Sequence, residues 1–445
     1  MKTATARAER SAFSGPPDPR RLGEEMHQLI TELYPICRSL TGEGQRQTLD
    51  LLRGHIDLAV REVPSGTRVF DWTVPKEWNI RDAYIKDSAG NKIVDFQKNN
   101  LHVLNYSVPV DGRFSRQELE KHLFTLPEHP EWIPYRTSYY QPNWGFCLSH
   151  RQYLQLEEKE YEVRIDSSLR DGSLTYGEYY LPGVKEDEVI FSCHICHPSM
   201  ANDNLSGIAL ATFLARELTS AGRRYSYRFL FTPGTIGSIT WLCQNEERWG
   251  RIRGGLVLAC VGDGGAFTYK KSRRGDSEMD RAVQKVLQDA GSPYEVMDFS
   301  PYGYDERQFC SPGINLPVGC FMRTPHGRFP EYHTSADDLT FVRPEHLAES
   351  FCRCWAVLQL LERNRTYLNL NPRCEPQLGA RGLYSSIGGR RDSKSRELAM
   401  LWVLNMSDGR YSLLGIAERA GMSFNQIDEA ARELQRAGLL SELPC

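Results

Sequence analysis

Residues 191–207 read FSCHICHPSMANDNLSG. Cys193, His194, Cys196 and His197 fall within five positions, and Asp203 follows between Asn202 and Asn204. Ahead of them DEVIFSC (187–193) is a short apolar run of the kind that forms a strand buried on both faces. Behind them LSGIALATFLARELTSAG (205–222) places Leu205, Ile208, Thr212, Ala215 and Leu218 on one helical face. His194 therefore closes a strand, and Asp203 opens a helix. In a parallel α/β sheet that junction lines the ligand crevice. A neutral imidazole and a carboxylate are standard zinc donors.

Further along, the same alternation continues. YSYRFLF (225–231), GGLVLACVG (254–262) and NLPVGCFM (315–322) read as strands. TIGSITWLCQNEE (235–247), SEMDRAVQKVLQDAG (277–291) and PEHLAESFCRCWAVLQLLE (344–362) read as helices. The pattern predicts an α/β fold with a mostly parallel, doubly wound sheet and helices on both faces. Upstream, Met26, Ile30, Leu33 and Ile36 have helical spacing, and TGEG (41–44) interrupts before QRQTLDLLRGHI resumes. This segment is expected to pack on the same sheet. At Val63 the texture changes to short β-type runs separated by the turns PSG, VPKE and SAGN. The expected organisation is a disordered tail at 1–20 and a split α/β domain at 21–62 and 166–372. An inserted β-rich domain occupies 63–165, a Gly/Arg-rich linker 373–392, and a winged helix-turn-helix domain 393–445.

The composition narrows the class. There are 445 residues, 40% hydrophobic and 11% aromatic, as in a globular protein of two or three domains. A net charge of −3 gives no global basic field for nucleic acid. Twelve cysteines follow no regular framework, and residues 1–20 lack an apolar h-region, so the thiols are read as reduced and the protein as cytoplasmic. No window reaches the ~18 apolar residues of a membrane span. Cys193 and Cys196 have C-x2-C spacing, but no second pair follows as a zinc finger requires, and Pro198 comes too soon for a redox motif.

The third candidate ligand is His333 in YHTSADDL (332–339), with Asp337 and Asp338 placed to orient its imidazole. Four blocks then carry a resemblance: HICHPSMANDNLSG (194–207), RFLFTPGTIGS (228–238), YDERQFCSPGINLPVG (304–319) and FPEYHTSADDL (329–339). In order and spacing they resemble the zinc aminopeptidase clan, which holds co-catalytic zinc exopeptidases and one-zinc glutaminyl cyclases. From about residue 22 to 445 the chain resembles, more closely, a bacterial aminopeptidase-like family with an inserted β domain and a C-terminal winged helix, and LYPICRSLTGEG (33–44) belongs to that resemblance. The resemblance implies a phosphorylase/hydrolase-like sheet, with His194 as the first metal ligand, Asp203 as the bridging carboxylate and His333 as the last ligand. Cys196 stands where the clan has an orienting Asp. His197 has no counterpart and is either an extra ligand or a donor behind the ligands.

Two departures matter. The clan's paired carboxylates are Gly234 and Thr235 here, and the position of a further Asp ligand is Ala259, with Asp263 the nearest carboxylate. A single zinc on His194, Asp203 and His333, with one open position, is the expectation. Glu306 is nominated as the general base and Asp305 as its alternative. The competing reading makes Asp305, Glu306 and Arg307 a structural salt-bridge cluster. Tyr304, Arg323, His326 and Arg136 are the substrate-side candidates. The aromatics Trp72, Trp78, Tyr135, Tyr139, Tyr140 and Trp144 either line a pocket or fill the core of the insertion.

In the tail, YSLLGIAERAGMSFNQIDEAARELQRAGLL (411–440) is helix, turn at Gly421, helix. Its second helix sets Asp428, Glu429 and Glu433 against Arg432 and Arg436, so DNA is not the expected partner, and the wing is expected to be nearly absent. Self-association would use this domain or the insertion, and no membrane partner is expected. The sequence is thus read as a zinc-dependent amide hydrolase acting on a small peptide or aminoacyl conjugate with narrow specificity. The alternative is a non-catalytic binding or regulatory protein with a relic site. An amide-forming or cyclising enzyme on the same zinc is a variant of the first reading.

Overall fold

Eight strands assemble into one sheet in the order β1-β2-β4-β3-β5-β8-β6-β7. They are β1 (Ala59–Pro64), β2 (Ser173–Leu181), β3 (Glu188–His194), β4 (Ser226–Thr232), β5 (Ile252–Leu258), β6 (Phe267–Lys270), β7 (Tyr294–Met297) and β8 (Val318–Met322). Every residue of β3 and β4 is buried, which is why these runs are apolar rather than alternating. The computed structural model describes residues 18–157, 159–383 and 391–443. Residues 1–17 of the expected tail and 384–390 of the expected linker lie outside the described residues. Residues 19 and 20 are helical rather than tail, because Pro19 opens a helix that Asp18 caps through Arg20 N–H.

The chain divides into two compact units, Met1–Ser277 with Glu295–Cys352, and Glu278–Tyr294 with Arg353–Cys445. The sheet belongs to the first. Its centre, β4-β3-β5-β8, is parallel. β1/β2, β2/β4 and β6/β8 are antiparallel, so the sheet is mixed and parallel only in the middle. β1 and β2 flank the β-rich stretch rather than a crossover helix, so nothing in their connection imposes a parallel pairing. Phe191 and Phe229 sit opposite in register with rings stacked at 5.0 Å. Ile190 and Leu230, one residue along, join the opposite layer with Ile236, Trp241 and Leu242 of the helix Ile236–Gln244.

Between β1 and β2 lies a four-stranded antiparallel sheet in the order Lys92–Asp95, Glu77–Lys86, Glu160–Arg170, Val110–Ser115. Trp78, Ile85, Val94, Phe146, Val163 and Ile165 fill its core. The aromatic residues expected to act together divide. Trp78 is core and donates its indole N–H to Ser107 O at 2.8 Å. Trp72 and Tyr140 are 47% and 46% exposed.

In the second unit, helices Leu413–Ala420 and Phe424–Arg436 are joined through Gly421 in the left-handed conformation. Ser423 and Gln426 form a reciprocal capping box at the second helix. The wing is fuller than the expectation. Asp408–Ser412 and Leu440–Glu442 both pair with Thr366–Asn369, which supplies the middle strand from upstream. No helix among the described residues is long and apolar enough to cross a membrane.

Candidate metal centre and active site

The chain leaves β3 to pair β4 on one side and returns to β5 on the other. The end of β3 is therefore the switch point of the sheet, where a crevice opens. His194 is its last residue. Asp203 lies nine residues on, wholly buried, in the turn before the helix Gly207–Leu218. Asn204 ties this turn to the neighbouring strand end, donating Nδ2–H to Leu258 O at 3.0 Å and accepting Cys260 N–H at 3.3 Å. Asp337 holds it from the other side, accepting the N–H of Asn202 at 2.6 Å and of Asp203 at 2.9 Å. Asp337 thus fixes the Asp203 backbone, not the His333 imidazole. Burial pushes its carboxyl up to about 8 in spite of those two donors. Asp338 caps Thr340 and Phe341 instead.

The three metal candidates meet. His194 Nε2 lies 2.9 Å from Asp203 Oδ1, and His333 Nε2 lies 3.0 Å from Asp203 Oδ2. His197 joins them, since the ligand atoms of His194, His197 and Asp203 all lie within 4.8 Å of one another. Asp203 Oδ2 and His333 Nε2 are close, yet neither has a well-aligned hydrogen-bond partner among the described residues. Burial works against ionisation of Asp203, but His197 and His194 beside it hold its carboxyl well below the usual carboxylate range. Burial also keeps His197 neutral, the form that donates a lone pair. Imidazole nitrogens converging on one ionised carboxylate, with unpartnered donor atoms between them, fit a zinc ion.

Asp305 and Glu306 separate despite being adjacent. Both are buried. Glu306 Oε1 takes the ammonium of Lys270 at 2.7 Å, and Lys270 also donates to Tyr302 O at 2.6 Å. The ion pair is therefore with Lys270, not Arg307. Asp305 Oδ1 accepts Ser238 O–H at 3.1 Å, and Oδ2 has no partner. A Cβ at Gly234 would lie 3.0 Å from His194 Cβ and 3.5 Å from Asp305 Oδ1. The tight contact is with His194, so glycine at 234 leaves room for that side chain, and the Asp305 carboxylate lies just beyond at ordinary contact distance. Burial pushes Asp305 up to about 6.

The substrate-side candidates also divide. Tyr304 stacks on His194, with centroids 5.0 Å apart, and its hydroxyl meets Cys260 Sγ at 3.1 Å. His326 packs edge-on against Tyr304 at 5.0 Å, its Nδ1 buried without a partner. Burial keeps it neutral. Arg323 is not brought to the cluster. Its guanidinium is taken by Gly265 O, His346 O and Glu349, and lies over the Phe267 ring. Arg136 is exposed. Its neighbour Tyr135 faces the histidines instead, with ring centroids 5.1 Å from both His197 and His333. Asp263 serves Asn202, Gly265 and Thr324. Cys196 Sγ lies 3.8 Å from His197 Nδ1.

Sequence reasoning did not find Tyr332, which stacks on His333 at 3.9 Å, or Lys270. Tyr332 carries the weak signal of adjacency to a candidate ligand. Lys270 carries none, because its partner is brought to it only by the sheet.

A family model described as a domain of unknown function, DUF4910, matches residues 27–364. A winged helix-turn-helix model matches 365–442. A Clostridium acetobutylicum protein, provisionally named for polysaccharide biosynthesis and an aminopeptidase-like domain, is 56% identical over 418 residues, covering 94% of this chain and 96% of that protein. The crystal structure of a provisionally named peptidase from Clostridium acetobutylicum superposes with a TM-score of 0.92 at 54% identity, covering 96% of this chain and 98% of that one. A zinc aminopeptidase from Bacillus subtilis shares the fold at 14% identity and a TM-score of 0.57, covering 78% of this chain and 95% of the other. The chain belongs to the DUF4910 family, an aminopeptidase-like α/β fold followed by a winged helix.

Proposed function

We propose that this member of the family is a zinc-dependent amide hydrolase of narrow specificity, with His194, Asp203 and His333 as ligands and His197 as a fourth donor at the same place. The observation that supports it is the approach of His333 Nε2 to Asp203 Oδ2 at 3.0 Å with neither atom otherwise partnered. Buried polar groups without partners are rare in folded proteins. A zinc ion held there would supply Lewis acidity toward an amide carbonyl and toward water.

The protein's own groups supply the rest. Asp305 is the proposed base. Its free Oδ2 takes the proton of the attacking water and returns it to the leaving nitrogen, while Ser238 anchors Oδ1. Glu306 is held in its ion pair with Lys270 and is assigned to structure. Tyr304 and His326 flank the crevice beside His194 and are the proposed substrate contacts. Arg323 and Arg136 are not, given their surroundings.

The relative's name adds a substrate class. Carried to this chain, a name for polysaccharide biosynthesis supports adding saccharide-linked amides to the small peptide and aminoacyl conjugates proposed as substrates. A reducing, cytoplasmic setting is part of the same proposal, from twelve cysteines that follow no regular framework.

The test is a screen of the zinc-loaded protein on aminoacyl amides and N-acyl amino sugars, beside D305N. Turnover lost by ~10²-fold or more in D305N, with zinc content unchanged, supports the reading. Zinc absent from the purified and zinc-supplemented protein would reject it in favour of the binding-protein alternative.

A further inference from the structure

We infer that the inserted β-rich segment is a working part of the centre, with Tyr135 as a positioning residue for the His197–His333 pair; this rests on the metal reading above. Residues 133–135 run alongside 333–335. Tyr135 N–H donates to His333 O at 2.7 Å, and Ser335 N–H donates to Ile133 O at 2.8 Å. Ile133 N–H donates to Ser335 Oγ at 3.0 Å, and Pro134 bridges Thr334. His333 has φ +56°, a left-handed conformation that a residue with a Cβ keeps only where its surroundings hold it. This short ladder is what holds it.

The side chain completes the arrangement. The Tyr135, His197 and His333 ring centroids are each 5.1 Å apart, pair by pair. Tyr135 meets the two imidazoles edge-on, at 67° and 85°, the favoured geometry for aromatic pairs. The phenol cannot swing away, since Tyr135 is 4% exposed and its hydroxyl is bonded to Tyr139 O–H at 2.9 Å. From behind, Arg38 in the LYPICRSLTGEG block donates Nε–H to His197 O at 2.9 Å. Ser39 donates to Asn105 Oδ1 at 2.6 Å, and Asn105 exchanges backbone bonds with Arg136 and Ser138. That block thus holds His197 from behind, while the insertion holds His333 through its backbone and meets both imidazoles through Tyr135. The separation of the imidazoles is set by the fold rather than by the ion, which is preorganisation of a ligand pair.

The experiment reads metal affinity and ligand geometry in the full chain, not activity. Zinc affinity is measured by chelator competition and coordination by the visible spectrum of the cobalt(II) form, for wild type, Y135F, Y135A and Y135L. Y135F keeps the ring and should stay within about twofold of wild type with the same cobalt bands. Y135A and Y135L should bind zinc ~10–100-fold more weakly and shift those bands. Wild-type affinity and spectrum in Y135A and Y135L would overturn the inference, as would an equal loss in Y135F. If the wild type itself binds no zinc, it is the metal reading that fails. Should the truncated variants not fold, hydrogen exchange of the wild type decides. Zinc should slow exchange across 131–139 together with 194–203, and protection confined to 194–203 would overturn the inference.

Discussion

The end of β3 and the helix Phe424–Arg436 of the second unit are both rich in charge, but they handle it in opposite ways. Around β3, His194 Nδ1, Asp305 Oδ2, Glu306 Oε2 and His326 Nδ1 are buried without hydrogen-bond partners among the described residues, and Asp203 Oδ2 and His333 Nε2 have only each other, 3.0 Å apart. Along Phe424–Arg436, Arg396 meets Glu433 at 2.6 Å, Arg432 meets Asp428 at 2.9 Å, and Ser423 and Gln426 cap each other. Folding alone does not leave polar atoms unpaired in one place, because each costs about 1–3 kcal/mol. Such a concentration supports the proposed ligand site, where a bound ion would supply the missing partner. Pairing within a helix surface marks a face that is complete by itself.

The largest effect that would break this comparison lies at Asp203. D203A removes the carboxylate on which the histidines converge. Bound zinc should fall from one equivalent to none by mass spectrometry, and any amide turnover with it. Zinc retained in D203A would mean that the unpaired atoms have another cause.

Next comes the contrast between neighbours. Glu306 and Lys270 form an ion pair with side chains 1% and 3% exposed. E306Q strands a buried ammonium and should cost about 3–5 kcal/mol of stability, read as a lowered midpoint in urea. D305N leaves no such charge behind and should change stability much less. If E306Q folds as well as D305N, the division of roles between them is wrong.

How much of this the sequence discloses depends on how local each signal is. The apolar run ending at His194 and the periodicity after Leu205 are contiguous, so a strand, a turn and a helix can be read directly. The same holds for the helix-turn-helix around Gly421. The antiparallel edges of the sheet were less legible, because β1 and β2 are separated by the whole insertion and nothing local records their pairing. The middle strand Thr366–Asn369 is four residues long and has no apolar run to announce it. Among the site residues, those placed by topology were hidden. Lys270 reaches Glu306 only because β6 pairs β8, and Tyr135 reaches His333 only because 133–135 pairs with 333–335. The departure at Gly234–Thr235 was visible, but that the Asp305 carboxylate lies next to Gly234 is a fact of three dimensions.

A smaller effect tests the self-sufficiency of the second unit. S423A removes one half of a capping box and should cost about 1 kcal/mol, seen as a small fall in the unfolding midpoint of the winged helix. Zinc binding at the first unit should not change.

The smallest effect concerns Arg396 and Glu433. Both are partly exposed, so water already solvates either charge when its partner is removed, and two long side chains no longer need to be held in one geometry. R396A should therefore shift stability by no more than about 0.2–1 kcal/mol, and by less still as salt rises. The same pairing bears on DNA. On this helix Arg432 is already matched by Asp428, and the carboxylate of Glu433 faces any incoming phosphate beside its partner Arg396 of the helix Arg391–Met406, so little positive charge is left to release counterions from phosphate. Full-length protein should show no more than nonspecific affinity for duplex DNA, Kd about 10⁻⁴–10⁻⁶ M at physiological salt, and R396A should leave it there. Sequence-selective binding in the nanomolar range would show that the face is not complete by itself, and the contrast with the β3 crevice would then lose its second term.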